Sequence, residues 1–176
     1  ALTRDELVYN ALYLLFAGHE TTTNLIGNGL YHLLRHPGEL ARLRAAPELI
    51  GQAVEEVLRF DSPSPAVVRI VARDMRVRGV DLKKGDRVVP FLSAANRDPR
   101  VFEDPDTFDV NRRHNPHLAL GLGRHFCLGA KLARLEGRIA VDTLVRTLPR
   151  LRLASFEPNW SNQLILRGLA TLPVCF

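Results

Sequence analysis

Between residues 120 and 129 the chain reads Leu120-Gly121-Leu122-Gly123-Arg124-His125-Phe126-Cys127-Leu128-Gly129. Glycines let a backbone approach a ligand closely. A cysteine at the mouth of a helix meets amide donors and the positive end of the helix dipole, which favour its thiolate. Cys127 is therefore a candidate metal ligand or nucleophile, beside the plainer reading of a buried inert thiol, the commoner fate of a lone cysteine. A phosphate-cradling loop is excluded, because the G-x-G-x-x-G and P-loop spacings are both absent. A second stretch, Ala17-Gly18-His19-Glu20-Thr21-Thr22, sets an acid and alcohols in the middle of an apolar segment. The threonines there can back-bond to the preceding turn and bend a core helix. In Glu56-Val57-Leu58-Arg59 the acid and base are an i,i+3 pair on one helix face, a spacing that surface ion pairs also use. Arg69, in Val67-Val68-Arg69-Ile70, offers a guanidinium fork suited to a carboxylate, or is one exposed strand residue among Arg73, Arg76 and Arg78.

In this order, the stretches resemble the cytochrome P-450 family of heme-thiolate monooxygenases, bacterial type. The family's heme-binding pattern F-G-x-G-x-H-x-C-x-G is matched by Gly121, Gly123, His125, Cys127 and Gly129, with Leu120 standing where relatives usually have Phe. Ala17 to Thr22 is similar to the oxygen-activation motif, Glu56 to Arg59 to the family's E-x-x-R, and Ala94-Ala95-Asn96-Arg97-Asp98-Pro99 to a stretch of the bacterial members. The resemblance implies heme b as cofactor, with Cys127 as its axial thiolate and metal ligand. It implies Arg69, Leu120, Gly121, His125 and Cys127 as cofactor-binding residues, Glu20 and Thr21 as catalytic residues, and Arg112 as third member of a buried Glu–Arg–Arg network beneath the cysteine loop. The implied reaction inserts one atom of dioxygen into a hydrophobic substrate. Its electrons come from an acidic ferredoxin- or flavodoxin-type donor docked near Arg100, Arg113, Arg124, Lys131 and Arg138. Substrate choice is implied for residues 64–68 and 163–166.

These residues need elements to hold them. Thr3 and Glu6 form a capping-box pattern, which predicts a helix from there to about Arg35, on the order of 45 Å long. Its stretch 11–18 is apolar on every face, the mark of a helix buried all round. Residues 37–46 read as a short helix and 48–60 as another, with Ile50, Val54, Val57 and Leu58 on one face, ended by Pro63 and Pro65. Residues 66–90 change to short β-prone runs (67–71, 75–77 and 87–89) around a Lys84-Gly85-Asp86 turn, a small sheet. Residues 96–117 read as a long irregular loop, and such loops tend to carry function. After Cys127 a helix runs to about Leu148, with Leu128, Leu132, Leu135 and Ile139 at helical spacing, and residues 151–176 read as two or three short strands. The expected fold class is mainly α with small β-sheets (α+β), the C-terminal part of the cytochrome P-450 fold from its long central helix onward.

At 176 residues, 46% hydrophobic and 24% charged, the composition excludes a disordered, collagenous or disulfide-scaffold chain. The net charge of +5 suits an acidic partner, but 21 of the 24 basic residues are arginines scattered without a block, so a nucleic-acid module is the weakest reading. Cys127 and Cys175 make no pair-spaced metal motif, and no signal peptide is visible, so a reducing cytoplasm is expected. Residues 7–34 hold too many polar groups to cross lipid. His36, His114 and His117 are expected as surface or loop histidines. The chain opens on Ala1 and its only methionine is Met75. The expectation is a processed, engineered or truncated product, with residues 1–176 the heme-binding portion of one larger domain, its N-terminal half absent or supplied by a complementary chain. The rival expectation is a heme-free fragment or pseudo-enzyme acting as a scaffold or binding module.

Overall fold

The computed structural model describes residues 2–155, 157–163 and 165–176. It is an α+β fold with helices dominant, as the sequence predicts. Helix α1 (Arg4–Arg35) starts where the capping box puts it: the Glu6 amide donates to Thr3 Oγ1 at 3.3 Å and the Thr3 amide to Glu6 Oε2 at 2.8 Å. Helices α2 (Pro37–Ala45) and α3 (Ile50–Phe60) follow, separated by a single 3-10 turn at Pro47–Leu49. Helix α5 (Ala130–Thr147) closes the helical set.

The core lies where α1, α3 and α5 meet. Leu25 and Leu33 of α1, Val54 and Val57 of α3, and Val141 and Val145 of α5 are buried together. Two glycines let the helices approach. A Cβ on Gly29 would lie 3.3 Å from Val57 Cγ2, and one on Gly137 would lie 3.3 Å from Leu25 Cδ2. The cysteine loop and the cavity above it rest on this junction.

Residues 66–90 form two antiparallel ladders rather than one sheet. β1 (Arg69–Ile70) pairs with β4 (Arg87–Val88), and β2 (Met75–Val77) with β3 (Val80–Leu82). The second ladder turns through Arg78 and Gly79, at φ 47° and 86°. A two-residue turn with both central φ positive matches the twist of a hairpin and normally calls for Asn-Gly or Asp-Gly, so an arginine in its first position hides β3 from a sequence reading. A short helix, α4 (Leu92–Ala95), precedes the irregular segment 96–117. The tail holds four short strands in two ladders, β5 (Arg152–Leu153) with β8 (Val174–Cys175) and β6 (Asn159–Trp160) with β7 (Leu169–Thr171).

One expectation is corrected. An all-round apolar α1 predicts burial on every side, yet no residue of α1 before Thr22 is buried, and Tyr9 and Phe16 are 72% and 57% exposed. The other elements of this chain cover α1 only over its second half. The stripe Leu128, Leu132, Leu135 and Ile139 likewise faces outward, while Ala130, Gly137, Val141 and Val145 form the buried side of α5.

Candidate functional site

Beneath the cysteine loop lies a saturated ion-pair core. Glu56 and Arg59 are one helical turn apart on α3 and both fully buried. Arg59 donates to Glu56 through Nε (2.7 Å) and Nη2 (2.8 Å). Its remaining hydrogens reach the carbonyls of Asn96 (3.0 Å), Pro105 (2.7 Å) and Thr107 (3.0 Å). All five guanidinium N–H groups thus have acceptors, the condition under which an arginine tolerates full burial. Arg112 Nε reaches the same carboxylate at 3.2 Å, and the Asp109 amide and Asn115 Nδ2 add donors at 2.9 and 3.3 Å. Arg112 also donates to the carbonyls of Glu103 and Asp104, and Asp104 sits at φ 44°, a left-handed conformation that Asp tolerates better than most residues. The irregular segment is thereby gripped from within, which is why a stretch without regular structure can hold one shape.

The cysteine loop doubles back on itself. The Gly121 amide donates to Leu118 O (2.8 Å), the Phe126 amide to Gly123 O (3.0 Å) and the Cys127 amide to Leu120 O (2.8 Å). Gly121 and Gly123 have φ of 75° and 68°, and a Cβ on Gly121 would stand 3.1 Å from His125 O, so only glycine fits that crossing. Cys127 is half-buried, three residues before α5 begins.

Across from the loop, one cavity of about 500 Å³ is lined by Thr21 and Leu25 of α1, by Arg69 at the start of β1, and by Leu120, Gly121, His125 and Cys127. Of the site residues expected from the sequence, only Glu20 is off this lining. It sits one position further round α1, and its Oε1 accepts from Gln163 Nε2 at 3.3 Å. Thr21 Oγ1 donates to Ala17 O at 2.7 Å, the back-bond an alcohol inside a helix can make, while its residue still lines the cavity. Arg69 is exposed and its Nη1 donates to Val68 O. Ser64 and Val67 line the cavity from residues 64–68. From residues 163–166 none of the described residues does, and Leu164 lies outside the described residues.

Two clusters escaped the sequence reading. His117, expected as a surface or loop histidine, lies in the irregular segment, but its side chain is only 4% exposed, with its Nε2 3.0 Å from Glu55 Oε2. Its Nδ1 accepts the Ala119 amide at 3.3 Å, which leaves Nε2 to carry the hydrogen toward Glu55. Arg134 of α5 donates to both Glu55 oxygens at 2.7 Å. Burial pushes the Glu55 carboxyl up, but the Arg134 and His117 hydrogen bonds outweigh it and hold the group down at about 2. Arg134 in turn is raised, first by its Glu55 hydrogen bond and least by the Cys127 sulfur. The other cluster joins His32 Nε2 to Asp61 Oδ2 at 2.8 Å, with Arg167 on Asp61 Oδ1 and stacked 3.9 Å above the Trp160 ring. Each cluster links residues dozens of positions apart, so local spacing carries no trace of it. Among the five basic residues expected to meet a donor, all are exposed, and Arg100 is held by Asp98.

A long helix facing a glycine-framed cysteine loop across one cavity, over an E-x-x-R ion-pair core, is the arrangement the motifs imply for a heme-thiolate protein. The cytochrome P-450 family model matches residues 1–150, and the chain belongs to that family. It is 47% identical over 175 residues to the biotin biosynthesis cytochrome P-450 of Bacillus subtilis (strain 168), covering 99% of this chain and 44% of that protein. It is also 47% identical to the vitamin D(3) 25-hydroxylase of Pseudonocardia autotrophica, over 98% of this chain and 44% of that one. Among solved structures, P450BioI in complex with an acyl carrier protein ligated to hexadec-9Z-enoic acid superposes with a TM-score of 0.96 at 47% identity, covering 99% of this chain and 46% of that one. CYP109E1 of Bacillus megaterium in complex with corticosterone gives 0.93 at 42% identity, over 98% and 47%. The chain therefore spans under half the length of these relatives.

Proposed function

We propose that residues 1–176 are the C-terminal, heme-binding portion of a larger single-domain monooxygenase that inserts one atom of dioxygen into a hydrophobic organic substrate. The observation that carries this reading is the single cavity on which Thr21, Arg69, Leu120, Gly121, His125 and Cys127 meet from separate stretches of chain. These residues suit heme b. Cys127 offers one half-buried thiol, and no group of three or more metal-ligating side chains competes with it among the described residues. Gly121 keeps the floor at backbone height, as a flat ring requires. Arg69 and His125 line the same cavity, and both side chains can donate to propionate carboxylates. Bound heme would supply an iron centre at which the cysteine thiolate's electron push favours O–O cleavage.

The chain's own residues then divide the work. Cys127 would hold the iron, and the hydrogen bond from its amide to Leu120 O fixes its backbone. Leu25, Val67 and Ala119 keep the cavity apolar against water. Thr21 holds its hydroxyl at the cavity, and Glu20, tethered by Gln163, relays protons from solvent toward it. The fatty acyl and steroid named for the relatives' complexes support an apolar substrate here. Arg100, Arg113, Arg124, Lys131 and Arg138, all exposed, would steer an acidic ferredoxin- or flavodoxin-type donor in a salt-sensitive encounter. No helix among the described residues is long and apolar enough to cross a membrane.

The test is a heme titration of the chain, alone and with its N-terminal complement, followed by a carbon monoxide difference spectrum. Thiolate ligation is expected in the wild type and absent from Cys127→Ser. Survival of the spectrum in that variant removes Cys127 as ligand. Failure of every wild-type form to take up heme leaves the scaffold reading in its place.

A further inference from the structure

The stretch Ala94 to Pro99 has no role in the proposed reaction, yet its asparagine sits between the ion-pair core and the cysteine loop. Asn96 follows α4 directly and is fully buried. Its amide donates to Leu92 O at 2.9 Å, which closes α4. Its carbonyl accepts Arg59 Nη1 at 3.0 Å, and its side-chain Oδ1 accepts the Leu118 amide at 2.7 Å. From Leu118 the chain of bonds continues. Leu118 O accepts the Gly121 amide, and Leu120 O accepts the Cys127 amide, each at 2.8 Å.

The orientation of the Asn96 amide is forced. The Leu118 N–H is a donor, so the atom facing it must be oxygen and not NH₂. That choice leaves Asn96 Nδ2 buried with no partner among the described residues. An unpaired buried donor is a standing cost, and a residue that merely filled space would be apolar here. What the amide offers that an apolar side chain does not is an acceptor for Leu118, in register with a carbonyl for Arg59.

We infer that Asn96 is a positioning residue for Cys127, coupling the buried Glu56–Arg59 pair to the loop that presents the thiol. The inference rests on the reading of Cys127 as the heme ligand for its functional meaning, but its geometry can be tested without heme. In Asn96→Leu, which keeps the volume and removes the acceptor, amide exchange at Leu118, Gly121 and Cys127 should speed by on the order of tenfold, one ordinary hydrogen bond's worth, while Val141 and Val145 in α5 stay slow. Asn96→Asp keeps an oxygen facing Leu118 and should restore slow exchange. Wild-type exchange at residues 118–127 in the Leu variant overturns the inference. So does an Asp variant that exchanges there as fast as the Leu variant. Should the Leu variant fail to fold, the Asp variant decides by itself: folded with a slow loop supports the coupling, and folded with a fast loop, or unfolded, refutes it. In the heme-loaded full-length protein, Asn96→Leu should lower the fraction giving the thiolate carbon monoxide spectrum, and Asn96→Asp should recover it. Absence of that spectrum from the wild type would refute the heme reading and leave the exchange result standing on its own.

Discussion

The floor and the roof of the cavity are built by opposite rules. Below Cys127, Glu56 and Arg59 are fully buried, every N–H of Arg59 has an acceptor, and Asn96, Pro105, Thr107 and Asp109 of the irregular segment 96–117 all bond to the pair. Above the cavity runs the helix α1, whose buried residues all lie from Thr22 onward, while Leu7, Tyr9, Leu12, Tyr13, Leu15 and Phe16 before it are all exposed. The contrast teaches that this chain determines the position of its thiol by itself. It encloses the space the thiol faces only in part, with the first half of α1 left uncovered.

If that is so, the floor should be intolerant and the roof permissive. The largest effect belongs to Arg59→Leu. It strips the two Arg59 bonds from the buried Glu56 carboxylate, leaving it to Arg112, the Asp109 amide and Asn115, and orphans the carbonyls of Asn96 and Pro105. Breaking a buried pair by removing one partner costs about 3–5 kcal/mol. Arg59→Lys should recover little of this, because an ammonium cannot reproduce the planar fork. Urea denaturation reads both. A loss below about 1 kcal/mol for the Leu variant would mean that the core is not what holds the loop.

The next test lies at the edge of the floor, where Glu55 ties α3 to Arg134 of α5 and to His117. Its carboxyl is held near 2, below the ordinary 4.5, so folding favours the ionised form. A group depressed in the folded state contributes stability that is complete above its unfolded value and is lost as pH falls through the folded one. The wild type should therefore exceed Glu55→Gln by a constant margin at neutral pH, and the margin should shrink from about 4.5 downward and vanish near 2. Thermal unfolding of both proteins across that range measures it. A pH-independent margin would assign the contribution to packing rather than charge.

What could be read in the sequence follows the reach of each interaction. The capping box at Thr3 and Glu6, the i,i+3 pair Glu56–Arg59 and the glycine frame around Cys127 are all written within a few residues, and each stands where its pattern implies. Arg112 could be assigned to the core only through the family resemblance. Glu55 with Arg134, and Asp61 with His32 and Arg167, are contacts between residues 29 to 106 positions apart, for which no spacing rule exists. Periodicity also gives a helix without giving its buried side. Leu128, Leu132, Leu135 and Ile139 identified α5, yet Gly137, Val141 and Val145 are the residues it buries. The small residue was invisible to a hydrophobic pattern because its function is to let Leu25 and Val54 come close.

The smallest effect is expected on the roof, where it also separates two meanings of an apolar residue. Leu12, Leu15 and Phe16 are exposed, so their side chains are in water in both the folded and unfolded chain, and replacing them removes almost no burial. The triple change to Ser in this chain should shift stability by no more than about 0.5 kcal/mol per site, the range of ordinary surface substitutions. Contiguous exposed apolar surface also promotes association, so the same variant should bind less of a hydrophobic dye and self-associate less at high concentration. In the full-length protein the effect should grow. If the remaining chain packs on this face, three large side chains lost from a core cost several times more, at about 2–5 kcal/mol each. Measuring the variant in both contexts thus weighs the missing wall directly. Equal and small losses in the two would mean that α1 keeps its first half bare in the whole protein, and that the apolar stretch on every face of residues 11–18 was never a signal of burial.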